Sequence, residues 1–463
     1  MAIISQKNLN EQGSKHIMSN FFQKIKLGTL LKNSNIRKTS GVSPVSLFQY
    51  IFGLVFLNRN HYEAMQESQK AFAQDTVYRF INEGSYNWEK FLVQLAMVVI
   101  NIIRTWRNSY KQPSVLIIDD TPFYRDRSKK VELLSWFRDY TENRSFRGFK
   151  MLTMAWTDGI STIPCMFRMV ATQKIDKLIC PARQDLDKRT LAAKRRHHAQ
   201  KTKPELVVDM LTQAANLGIM VNYVLMDSWF YQPPLMKQID ELGFYSIIRM
   251  KQMGWNIFRL NSRFYTLGAL YQIASKKAKS HYCSIVVDMK IDEETILPIR
   301  ISFAPNQNKK GEWIAIASTD ITLAFEEIIR IYGMRWNIET MFQICKSDLR
   351  LASEFQSRSF DAIVASTTIV LSRYICLALE HRSDTDPRAW GELFRACLDE
   401  IVALTFHEAL SLVMLHTAAE LAEYFKLNIR EVQERILLIN HNSPSPSLSL
   451  FPALRAFASH CVS

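Results

Sequence analysis

The chain has 463 residues, 48% of them hydrophobic and 22% charged, which suits a globular protein of about three domains at roughly 150 residues each. Lys and Arg exceed Asp and Glu by 14, and the isoelectric point is 9.4; this balance fits binding to a polyanion, and equally a basic surface kept for solubility. Seven scattered cysteines without CxxC spacing argue against a zinc ribbon or a disulfide framework. The apolar runs at 45–57 and 91–103 fall short of the roughly 20 residues of a membrane span, and residues 1–26 lack a signal-peptide core. A cytoplasmic protein with no membrane partner is expected.

Residues 1–43 are polar and weakly patterned. From Pro44 to about 110 apolar residues recur every three or four positions, as at Leu47, Tyr50, Ile51 and Leu54, which predicts helices. Asp75 is placed to cap a short helix carrying Thr76, Tyr78 and Arg79. Such a helix suits a DNA groove and equally the packing of an all-α domain.

The pattern changes at Pro113. Val115 to Ile118 reads as a buried strand ending in Asp119-Asp120. Basic residues crowd 125–150 and again 183–203, with strands predicted over 149–157 and 162–170 between them. Residues 223–226 form another strand that ends in Asp227, followed by a helix over 232–242 and a strand over 244–249. Residues 251–320 are strand-rich, with strands at 284–290, 297–304 and 313–318. The remainder to about 440 is helical, and the tail from 442 begins Ser/Pro-rich.

The segment from Tyr332 to Lys346 carries the chemistry. On one helix Tyr332, Arg335, Glu339 and Lys346 project within roughly 60° of one another, beside an apolar stripe of Met334, Ile338, Met341, Phe342 and Cys345. Alone, such a flank fits a solvated face with an ordinary Arg335–Glu339 pair. Asp120 and Asp227, each ending a strand, change the weighing, because open α/β sheets gather their ligands at strand ends. Carboxylates held close repel one another unless cations neutralise them. Mg²⁺ takes oxygen ligands and bridges to phosphate, as phosphoryl transfer requires. Adjacent strand residues face opposite sides, so Asp119 and Asp120 cannot both join Asp227.

Tyr332-x2-Arg335-x3-Glu339-x6-Lys346 resembles the Tyr-Arg-Glu-Lys signature of bacterial insertion-sequence DDE transposases of the cut-and-paste, hairpin-forming type. Ile118-Asp119-Asp120-Thr121 resembles their first aspartate motif, and Leu225-Met226-Asp227-Ser228 their second. The resemblance implies an α/β fold: an RNase H-like mixed-sheet catalytic core with a β-rich insertion, flanked by helical N- and C-terminal regions. The expected division is a helical DNA-binding region at 1–110, core at 111–250, insertion at 251–320, core with the Glu helix at 321–358, a helical region at 359–440 and a tail at 441–463.

By the same resemblance, Asp120, Asp227 and Glu339 are the catalytic and metal-binding carboxylates, with the acid just before Thr121 selected over Asp119. The metal is Mg²⁺, for which Mn²⁺ can substitute. Tyr332, Arg335 and Lys346 contact DNA. Trp313 resembles the aromatic that stacks on a flipped base, although a core Trp reads the same way. The implied partners are double-stranded DNA, as element ends and as target, and a second copy of the chain in a synaptic homodimer, in the cytoplasm and at the bacterial nucleoid. A non-mobile metal-dependent nuclease on the same fold and a silent DNA-binding regulator are the rival readings.

Overall fold

The computed structural model describes residues 17–66, 72–106, 113–251, 257–306, 309, 311–382, 390 and 392–401. They form two units. One joins residues up to 91 with 354–356 and those from 365 onward; the other comprises 92–353 and 357–364. The C-terminal helices expected beyond 401 and the tail lie outside the described residues.

The second unit is built on a mixed sheet of eleven strands among the described residues. They are β1 (Val115–Tyr124), β2 (Ser135–Asp139), β3 (Arg144–Thr157), β4 (Thr162–Val170), β5 (Tyr223–Met226), β6 (Tyr245–Arg249), β7 (Ile257–Leu260), β8 (Arg263–Thr266), β9 (Cys283–Lys290), β10 (Ile296–Pro305) and β11 (Trp313–Ser318). β4 pairs antiparallel with β3, and β3 with β1. β5 then runs parallel to β1, and β6 parallel to β5. This order, β4-β3-β1-β5-β6, is the RNase H-like mixed sheet that the resemblance implies. Val115 to Ile118 are fully buried, as continuous apolar runs are where a strand is covered on both faces.

The strands at 251–320 do not form a separate layer. β11 pairs antiparallel with β6, so β11, β10, β9, β7 and β8 extend the core sheet. The helix Leu267–Ala278 belongs to the same segment.

β1 also departs from expectation. It continues six residues past Ile118, through both aspartates to Tyr124, and pairs with β3 along its whole length. β3 begins at Arg144, earlier than its apolar run predicts, and β2 pairs with that added part. Polar residues hid this extension, because its buried apolar side chains, Phe123 and Phe146, stand singly among them and form no continuous apolar run.

Helices cover the sheet. The helix Lys203–Asn216 packs on β4, Pro233–Glu241 on β6, and Trp336–Ser347 on β1 and β4. A capping box between Thr202 and Glu205 starts the helix Lys203–Asn216. Much of the second basic stretch is structural. Arg195 and Arg196 are buried on the helix Leu191–Ala199. Arg196 binds Glu132 at 2.6 Å and Asp361 at 2.8 Å, and Arg195 also pairs with Asp361.

The first unit is helical. Its segments Ile17–Lys24 and Leu27–Asn33 fall where the sequence is weakly patterned. Glu400 accepts hydrogen bonds from the backbone N–H groups of Met18 (2.9 Å) and Ser19 (3.0 Å), so it satisfies donors that a helix start leaves open. The helix Pro44–Leu54 starts on the Ser43 cap. Near its far end the fully buried Arg373 donates to the carbonyls of Ile51 and Phe52 and pairs with Glu354 at 2.7 Å. Arg373 lies on the helix Phe360–Arg382, which is long and apolar enough to cross a membrane but has its apolar window wholly buried in the fold. The helix near residue 75 runs Asp75–Ile81, with Asp75 inside it and not as its cap. Asp75 instead pairs with Arg79 at 3.2 Å. Thr76 is buried, while Tyr78 and Arg79 are exposed.

The extended β1 depends on Gly148, opposite Tyr124 in β3. A Cβ there would stand 2.1 Å from the Phe123 carbonyl oxygen. Gly148→Ala is expected to cost roughly 2–3 kcal/mol, a typical overpacking penalty, read as a lower urea midpoint. An unchanged midpoint would show that β1 and β3 do not approach this closely.

Candidate active site

The parallel pairing of β1 with β5 ends at Ile118 opposite Met226. One step further stand Asp119 and Asp227. Neighbours at the same level of a sheet share a face, so Asp119 is the aspartate that stands beside Asp227. Burial and the Asp227 charge push the Asp119 carboxyl up to about 7, against the pull of Arg335. Asp227 continues its strand in extended conformation and accepts a hydrogen bond from the Trp229 N–H at 2.9 Å. That bond fixes the carboxylate at the start of the turn Ser228–Phe230.

Asp120 leaves the opposite face of β1. Its carboxylate is held by Lys203, the first residue of the helix Lys203–Asn216, and by Lys150 of β3 at 3.5 Å. The Lys203 ammonium also stands 3.9 Å from the centre of the Trp229 ring, a cation–π contact. The structure therefore brings Asp119, and not Asp120, together with Asp227.

The Tyr332–Lys346 segment is two helices, Phe325–Gly333 and Trp336–Ser347, where one was expected. Across the junction the N–H groups of Met334, Arg335 and Asn337 bond to carbonyls three residues back. This tighter turn follows a glycine, the weakest helix former after proline. Arg335 is the cap residue just before the second helix and carries two carboxylates: Asp119 at 3.2 Å and Glu339 at 2.6 Å. The pair with Glu339 is thus no ordinary surface pair, since the Arg335 side chain is 15% exposed. Burial works against the guanidinium charge, but Tyr332, Asp119 and Glu339 outweigh it and shift Arg335 upward. The Arg335 guanidinium lies 6.0 Å from the centre of the Tyr332 ring, and burial pushes the Tyr332 hydroxyl up to about 12.

Asp119, Asp227, Tyr332, Arg335 and Glu339 therefore form one group. Lys346 belongs to another neighbourhood. Desolvation draws its ammonium down and Lys150 adds to that, while Asp139 and Glu142 oppose it. Trp313 stacks on Tyr271 at 4.8 Å and meets Phe303 edge-on at 5.2 Å. These contacts stay within the β-rich segment.

Carboxylate oxygens suit a hard divalent cation such as Mg²⁺. Among the described residues, no three acidic, histidine or cysteine side chains converge closely enough to grip a metal ion. Arg335 explains this: it lies between Asp119 and Glu339 and supplies the positive charge that both need. The donor chemistry fits a metal, with Asp119 and Asp227 adjacent and Glu339 held back by Arg335. Sequence reasoning gave Lys150 and Lys203 no role beyond their basic stretches. Strand alternation alone could have linked Lys150 to Asp120, had the β1–β3 register been known.

Residues 48–253 match a family described as DDE superfamily endonuclease. Residues 185–376 match one described as transposase DDE domain. The first stretch contains Asp119, Asp120 and Asp227; the second contains Asp227, Tyr332, Arg335 and Glu339. No curated protein matches the chain. Together the matches support a DDE transposase.

The raised Asp119 carboxyl has a consequence for stability. Its folded value, about 7, lies above the ordinary 3.8, so the folded chain holds an extra proton between those values. Raising the pH through that window removes the proton and costs the folded state stability. Without divalent cations, Asp119→Asn is expected to melt a few degrees above the parent chain at pH 8. The gain should shrink toward pH 4 and be offset at pH 8 by added Mg²⁺, as read by thermal denaturation.

Proposed function

We propose, with the matched DDE endonuclease and transposase domains as premise, that this chain cuts DNA at the terminal inverted repeats of a mobile element and joins the freed 3′-ends to target DNA. Two copies would act together, one at each end. The observation that carries the reading is the contact chain from Asp119 through Arg335 to Glu339 beside Asp227. Carboxylates packed this closely at a strand end repel one another, and a cation there would relieve that repulsion.

In this reading Asp119, Asp227 and Glu339 are the catalytic carboxylates, with Asp119 in the position that the motif assigns to Asp120. A divalent cation held there supplies charge neutralisation and polarises the phosphate under attack. Arg335 is the exchangeable partner. Its planar guanidinium binds a phosphate as well as a carboxylate. When DNA arrives, Arg335 turns from Glu339 to a phosphate oxygen, and Glu339 is freed to complete the carboxylate set. Tyr332, with its hydroxyl kept protonated well above neutral pH, donates a hydrogen bond to the same backbone. The attacking groups are water for the first cut and the 3′-OH for the later steps, including attack on the opposite strand to give a hairpin.

The test is cleavage of DNA carrying the sequences that flank the gene, with Mg²⁺ present. Asp119→Asn, Asp227→Asn and Glu339→Gln are each expected to lower cutting by a factor of about 10³ or more, the scale on which a transition-state electrostatic group counts. End binding should persist. Asp120→Asn should keep measurable cutting. Loss of cutting in Asp120→Asn with normal activity in Asp119→Asn would overturn the assignment. Cutting without joined products would favour the non-mobile nuclease.

A further inference from the structure

At the β2 edge of the sheet the surface opens into a cavity of about 560 Å³ between β2, β3 and the chain after β4. Five cations line it: Arg138 from β2, Lys150 from β3, Lys174 and Lys177 beyond β4, and Lys203. No carboxylate stands among its lining residues. The only acid held by two of these cations, among the contacts of the described residues, is Asp120, which binds Lys150 and Lys203. Arg138 bonds to the neutral Asn143. The positive charge of this cavity is therefore mostly uncompensated, as an anion-binding site requires.

Charge alone would fit any polyanion; the aromatic residues narrow the choice. Trp136 is 44% exposed and Tyr140 is 83% exposed, and both line the same cavity. The Arg147 guanidinium lies 5.7 Å from the centre of the Trp136 ring, so the ring is buttressed while its remaining surface stays open. In duplex DNA the bases are stacked inside and offer a protein ring no free face. An unpaired strand presents phosphates and bare base faces together, and cations interleaved with aromatic rings recognise that combination.

We infer that this cavity binds an unpaired DNA strand, with phosphates on Lys174, Lys177 and Arg138 and a base stacked on Trp136. The inference rests on the reading of the chain as a DNA-cutting enzyme and names a strand site that shares two lysines with Asp120. Lys150 and Lys203 connect the two places, because both line the cavity and both hold Asp120, the neighbour of Asp119. Asp120 would keep the two lysines oriented toward the cavity.

The experiment measures binding of a labelled, unpaired thymidine oligonucleotide and of a blunt duplex to the full chain without Mg²⁺, across a salt series. Trp136→Ala is expected to weaken the unpaired oligonucleotide at least fivefold, on the scale of one lost stack, and to leave the duplex within twofold. Trp136→Phe, which keeps a ring, should restore most of the loss. Lys174→Ala with Lys177→Ala should lower the salt slope for the unpaired strand by about 1.4, for two phosphates at roughly 0.7 each. Equal loss of both DNA forms in Trp136→Ala, or unchanged binding of the unpaired strand, overturns the inference. So does displacement by heparin that is indifferent to Trp136, which would mark a general polyanion patch. Mg²⁺-dependent cutting of duplex DNA by the same preparations reads the carboxylate site separately. Cutting without Trp136-dependent strand binding leaves the proposed function standing and removes this inference; Trp136-dependent binding by a chain that cuts nothing does the reverse.

Discussion

Two carboxylates at the same level of neighbouring parallel strands, both partly removed from water, repel each other. Asp119 and Asp227 stand in that relation because β1 and β5 run parallel in register up to Ile118 and Met226. Burial compounds the repulsion, since a carboxylate loses solvation as it leaves water. The fold answers with one cation, Arg335, which spans Asp119 and Glu339. The junction after Gly333 serves this arrangement. It tightens the turn, sets Arg335 as the cap of a second helix and keeps the Tyr332 ring near the guanidinium.

The opposite face of β1 carries the complementary arrangement. There one carboxylate, Asp120, is shared between two lysines. A single strand thus presents excess negative charge on one side and excess positive charge on the other. The period-two alternation of a strand makes this possible with adjacent residues. A protein that handles phosphates near a carboxylate cluster needs both kinds of surface within a few residues, because carboxylates by themselves would repel the substrate.

The helical unit follows a different principle. Its helix ends are satisfied by side chains from far along the chain: Glu400 at the start of the helix Ile17–Lys24, and Arg373 near the end of the helix Pro44–Leu54. Glu354 then answers the charge of Arg373. An isolated buried guanidinium would cost several kcal/mol, so Arg373 and Glu354 stand or fall together. Their pairing explains how a helix as apolar as Phe360–Arg382 can carry an arginine at its centre.

Elements with a local signal are legible in the order of residues alone. The apolar runs marked β1, β5 and the later strands, and Asp227 stood at its strand end; the single helical flank expected for Tyr332, Arg335, Glu339 and Lys346 is instead two helices, with Lys346 apart from the others. Burial of apolar side chains leaves a period that can be read without neighbours. Which aspartate stands beside Asp227 follows from the register between strands more than a hundred residues apart, and so from the fold alone. The fold also decided that Arg195 and Arg196 are buried, that residues 251–320 extend the core sheet, and that helices form at residues 17–33. Each of these rests on a partner distant in sequence: Glu132 and Asp361 for the arginines, β6 for β11, and Glu400 for Ser19. Charges and unpaired backbone groups are satisfied by whatever the fold brings near them, and a linear pattern holds no record of those partners.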